Sequence, residues 1–131
     1  MNAKLVLAVF IGILTIATAS AMDRWTALSM LESGDNDQAI GRSGEISRYQ
    51  IEPQLWPGGN PQDMRNALAA AKSIMQSRLE RFTTTHQRPV TDFEFYVLWN
   101  APWQLDRPSK AVKERAQRFA NLVRRDDVAQ R

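Results

Sequence analysis

Apolar side chains recur at helical spacing in several stretches of the chain, and polar punctuation separates them. Asp23 offers a helix cap, and Trp25, Leu28, Leu31 and Glu32 follow on one face, so a first helix runs to about Ser33 and stops at Gly34. From Gly34 to Gly44 the residues are those of turns, and "EISRYQI" after them carries β-branched and aromatic side chains over a strand's length. A short hairpin or extended segment is expected there. "WPGGNP" is a turn, and Asn60-Pro61 starts a long helix over about 61 to 82, because Asn caps and Pro suits the first helical position. Its apolar stripe is Met64, Ala67, Leu68, Ala71, Ile74, Met75, Leu79 and Phe82. Thr91 to Glu94 fits a capping box, and "FEFYVLWNA" is apolar nearly all round, as a short central helix would be, with Pro102 helping to end it. A last helix from about Ser109 to Arg125 buries Val112, Ala116, Phe119, Ala120 and Val123 and exposes its charges. The pattern predicts a mainly α fold of about four helices around a small β-hairpin or extended segment.

The N-terminal stretch does not belong to that pattern. "MNAKLVLAVFIGILTIATASA" has one Lys, an apolar run and a small-residue Ala19-Ser20-Ala21 site, which reads as a secretory signal peptide over residues 1–21. The run from Leu5 to Ile16 is shorter than the ~20 residues of a spanning helix, so an uncleaved anchor is the weaker reading. A mature domain over 22–131 has room for one core and hence one site.

Composition narrows the chemistry. Of 17 Lys and Arg against 14 Asp and Glu, the signal segment removes only Lys4, leaving a balance of +2. Much of that excess sits in "KAVKERAQRFANLVRR", the solvated face of a helix rather than a nucleic-acid patch, and an exported protein would not normally meet nucleic acid. The absence of Cys leaves stability to packing and, with a single His, excludes most structural zinc patterns. No metal or other cofactor is implied. His86, in "TTTHQRP", reads as an exposed loop residue without the partners of a nucleophilic triad.

Glu32 is the acid that needs explaining. It lies seven positions after Trp25, within roughly 20° of it on the helical wheel, and so points toward the apolar side. Partial burial and the negative end of the helix dipole would both favour its protonated form, the condition of a general acid in glycoside hydrolysis. The plain alternative is a structural carboxylate that accepts from a backbone amide or pairs with Arg42 or Arg48.

Four segments then stand in an informative order: Glu32-Ser33, "GEISRYQIEP" at 44–53, Asn60-Pro61 with the long helix, and "LWNAP" at 98–102. In that order they resemble the lysozyme-like superfamily, specifically the soluble lytic transglycosylase (SLT) domain related to goose-type lysozyme. That family has Glu-Ser at a helix end, Gly-Ala-x-Gly-Leu-Met-Gln a little under twenty residues on, an Asn-Pro helix, and Ala-Tyr-Asn-Ala-Gly. The resemblance covers roughly residues 24 to 124. This chain departs from it at Ser47 for the second Gly, Arg48-Tyr49 for Leu-Met, Trp99 for Tyr and Pro102 for the last Gly.

The resemblance implies an α+β lysozyme-like fold and an exported, monomeric peptidoglycan-cleaving glycosidase of the periplasm or cell envelope. Its substrate would be the β-1,4 bond between N-acetylmuramic acid and N-acetylglucosamine, with Glu32 as general acid and then base. Ser33 would orient Glu32. Gln50 and Asn100 would hydrogen-bond the sugar, and Tyr49 and Trp99 would offer ring faces, strand alternation placing Tyr49 opposite Gln50. Glu45 lies within the substrate segment, and Glu45 or Glu52 would supply the second carboxylate if water were the nucleophile. Endolysin-like or chitin-directed hydrolysis is a further option. The rival of another class is a non-catalytic wall-binding or envelope-assembly module that keeps the fold and has lost the chemistry.

Overall fold

Four α-helices form where the apolar spacing places them, and side-chain caps from Asp23, Asp63, Thr91 and Ser109 set their starts. The computed structural model describes residues 22–128, so the signal-peptide expectation for 1–21 lies outside the described residues. Helix α1 is Arg24–Ser33: the Asp23 carboxylate accepts from the amides of Trp25 and Thr26, and Gly34 ends the helix at φ 65°, a left-handed conformation that glycine adopts without penalty. Helix α2 is Met64–His86. It begins three residues later than expected, because Asn60 closes a turn onto Gln62 instead and Asp63 caps the helix through Arg65 and Asn66. It also runs one turn further, so His86 is an exposed helix-terminal residue whose Nδ1 donates to the Phe82 carbonyl, rather than a loop residue.

Helix α3 is Asp92–Asn100, started by the expected capping box: Thr91 Oγ1 accepts from the Glu94 amide while Glu94 accepts from the Thr91 amide. Phe95, Tyr96, Val97 and Leu98 are all buried, which is what an element apolar on every side requires. A 3₁₀ turn at Pro102–Gln104 follows, and α4, Lys110–Val128, returns along α3. Helix α3 lies between α2 and α4, and α1 packs on α4. The core joins Leu28, Met75, Phe95, Tyr96 and Phe119, with Trp25 set edge-on to Phe95 at 5.4 Å between centroids. Arg24 fastens α1 to the start of α3, donating to Asp92 at 2.8 Å and to the Val90 carbonyl at 3.0 Å.

The expected hairpin is reduced to its smallest form. Single antiparallel bridges pair Ile40 with Ile46 and Ile46 with Ile51, and no longer strand pairing develops among the described residues. Ser47 and Gln50 sit at φ 71° and 52°, so the chain turns between Ile46 and Ile51 instead of extending. The fold is mainly α.

Candidate active site

Glu32 is held where three helices meet. The Tyr96 hydroxyl on α3 donates to Glu32 Oε1 at 2.7 Å, and Arg115 on α4 donates to the same oxygen at 3.2 Å and to the Tyr96 hydroxyl oxygen at 2.7 Å. The Glu32 side chain is 11% exposed. Burial, and after it the Glu32 charge, push the Tyr96 phenol well above its ordinary range, so Tyr96 stays a protonated donor. Oε1 is therefore doubly engaged. Among the described residues no donor reaches Oε2 and no unpartnered side-chain oxygen is buried, so Oε2 keeps some exposure, and Glu32 lines the adjacent cleft.

That cleft has a volume of about 330 Å³. Glu32 and Arg115 form one part of its wall, Gly41, Glu45 and Gln50 another, and Trp99 with Asn100 at the end of α3 a third. Each wall has a local cause. Gly41 leaves room for close approach: a Cβ there would meet the Glu45 carboxylate and the Gln50 amide oxygen, and those side-chain ends would have to shift. Gln50 is fixed by donating to the Ser47 and Ala39 carbonyls at 3.0 and 3.3 Å, and the Glu45 carboxylate accepts from the Ser43 amide. Arg78 of α2 donates to the carbonyls of Leu98 and Trp99, a cation satisfying the open end of α3, which fixes Trp99 and Asn100 at the cleft. Burial pushes the Arg78 guanidinium below its usual value, with the Glu52 charge acting the other way.

Five of the seven residues singled out from sequence, Glu32, Glu45, Gln50, Trp99 and Asn100, thus line one cleft, as does Glu52. Two do not. Tyr49 is 3% exposed and packs between Trp25 and Trp99, each at 6.4 Å between centroids, so it belongs to the core and offers no face to a ligand. The resemblance gave Tyr49 a ring face for the sugar, but Gln50 takes the cleft side and Tyr49 the opposite, buried side. Among the described residues the Ser33 hydroxyl makes no hydrogen bond to the Glu32 carboxylate. That hydroxyl donates to the Arg48 carbonyl at 2.7 Å and accepts from the Asn36 amide, tying the end of α1 to the following loop.

The ion-pair partner of Glu32 also differs from expectation. Arg48 pairs with Asp37 at 2.7 Å and with Asp35 at 3.7 Å, stapling the loop after α1, and Arg42 lies exposed on the cleft. Arg115 takes the role instead, at 3.2 Å from Glu32 Oε1. Neither Tyr96 nor Arg115 carried a local signal, one lying in an all-apolar run and the other in a run of helix-surface charges. Comparison of the chain with protein-family models, curated proteins and solved structures returns no match.

Proposed function

We propose that the protein is an exported, monomeric glycosidase acting on the glycan strands of peptidoglycan, with the lytic transglycosylase-like chemistry that its sequence resemblance implies. The observation that carries this reading is a Glu32 with one oxygen left without a donor among the described residues, on the wall of a cleft whose other walls come from the separate segments that carry the resemblance. The backbone adds support. The two glycine positions of the family's segment fall on Gly44 and Ser47, at φ 89° and 71°, both in the region that favours glycine.

The mechanism follows from these groups. Protonated Glu32 delivers its proton from Oε2 to the glycosidic oxygen between the two sugars, and the bond from that oxygen to the muramyl C1 breaks. The muramyl C6 hydroxyl oxygen bonds to C1, its proton passes to the Glu32 carboxylate, and a 1,6-anhydro end forms with no water consumed. Tyr96 and Arg115 keep Oε1 fixed so that only Oε2 meets substrate. Gln50 and Asn100 supply polar contacts to the acetamido groups, and Trp99 supplies an apolar edge. With water as nucleophile, Glu45 or Glu52 on the same cleft is the available second carboxylate.

The Glu32–Arg115 ion pair favours the second reading, a wall-binding or envelope-assembly module in which Glu32 fastens α1 to α4. Co-sedimentation with insoluble peptidoglycan, read together with release of soluble sugar, separates the two. For the enzyme, Glu32→Gln keeps binding and loses release; equal release by both forms would remove Glu32 from the chemistry, and binding without release by either form would favour the module.

A further inference from the structure

Beyond Trp103 lies a second cleft, also of about 330 Å³. One wall is a face of α2 made by Arg78, Arg81, Phe82, Thr85 and His86, which recur at three- and four-residue spacing. The facing wall is Leu98 and the segment from Pro102 to Asp106. Arg78, Pro102 and Trp103 line both clefts, so the two adjoin, and Trp103 between them is 78% exposed.

The two clefts differ in charge. The first mixes Glu32, Glu45 and Glu52 with Arg42, Arg78 and Arg115. The second sets Arg78, Arg81 and His86 against Asp106 alone. Arg78 is committed to the carbonyls at the end of α3, and His86 Nδ1 to Phe82. Arg81 is exposed and, among the described residues, meets no carboxylate. A guanidinium with open donors beside the apolar Phe82, Leu98 and Leu105 suits a ligand that joins a carboxylate to short aliphatic groups. Neutral sugar rings have no use for it.

Resting on the proposed function, we infer that the second cleft takes the acidic peptide branch of the same glycan chain, with Arg81 as the residue that recognises its carboxylate. Trp103 is then the surface over which the ligand passes from one cleft to the other.

Calorimetric titration of the mature chain in a Glu32→Gln background, which prevents turnover, tests this with two probes. One is a tetrasaccharide of alternating N-acetylglucosamine and N-acetylmuramic acid that carries its stem peptides. The other is the same tetrasaccharide with each lactyl group capped as a simple amide in place of the peptide, so that it carries no carboxylate. Adding Arg81→Ala should weaken the peptide-bearing ligand roughly tenfold, as expected for one lost charge-assisted contact, and leave the peptide-free ligand unchanged. Arg81→Lys should recover part of the loss, and Trp103→Ala should weaken both ligands. Equal effects of Arg81→Ala on the two ligands, or none on the peptide-bearing one, would overturn the assignment while leaving glycan binding intact. Failure of the parent protein to bind either ligand would instead overturn the proposed function, and this assignment with it.

Discussion

Glu32 is a carboxylate with two different oxygens. Oε1 carries the hydrogen bonds from Tyr96 and Arg115, and Oε2, left without a donor among the described residues, is the oxygen that the proposed function assigns to proton transfer. Tyr96 is therefore a positioning residue, and Tyr96→Phe separates its two duties. The ring keeps its packing against Phe119, 5.6 Å away, and loses only the hydroxyl. Urea denaturation should show a loss of about 1–2 kcal/mol, and turnover should fall through kcat with KM little changed. Gly41→Ala is the complementary variant: the new Cβ displaces Glu45 and Gln50, so glycan affinity should drop several-fold while far-UV circular dichroism stays unchanged. Glu32 itself was legible in sequence because seven-residue spacing from Trp25 and the Gly34 stop are local signals. Its partners were not, since Tyr96 and Arg115 stand 64 and 83 residues away and only the packed fold brings them together. Tyr49 is the opposite case: the resemblance implied a sugar-facing ring, and packing buries it on the side away from Gln50. Its burial between two tryptophans predicts that Tyr49→Ala costs about 3–5 kcal/mol in chemical denaturation, as a core truncation does.

Among the elements, the cap of α3 has the clearest consequence for stability. Glu94 closes the capping box and also accepts from both terminal nitrogens of Arg88 at 2.8 Å. The Arg88 hydrogen bonds, with those from Thr91, hold its carboxyl down at about 2, below the ordinary 4.5, against the opposing effect of burial. A carboxyl with a lowered folded-state value contributes stability that is complete above 4.5 and is lost as the pH falls toward 2. Thermal denaturation across that window should show this acid-dependent loss, and Glu94→Gln should reduce it. Helix types and most boundaries could be read from sequence because caps and stripes are local. The start of α2 moved from Pro61 to Met64 because Asp63 supplied the better-placed cap, and the hairpin shrank to two bridges because Ser47 and Gln50 turn the chain.

At the scale of the whole molecule, the mainly α arrangement converts sequence distance into one cleft. Helix α1 brings Glu32, the bridged loop brings Glu45 and Gln50, α3 brings Trp99 and Asn100, and α4 brings Arg115. The order of segments along the chain suggested that convergence, whereas the second, cationic cleft had no sequence signal because its walls are made by α2 and the turn after α3. The most direct test is mass spectrometry of the soluble products released from purified peptidoglycan by the mature chain and by its Glu32→Gln form. The expected result is 1,6-anhydromuramyl fragments from the first and none from the second. Reducing-end fragments would replace the transglycosylase with a hydrolase using Glu45 or Glu52, and intact peptidoglycan bound by both forms would contradict catalysis at Glu32.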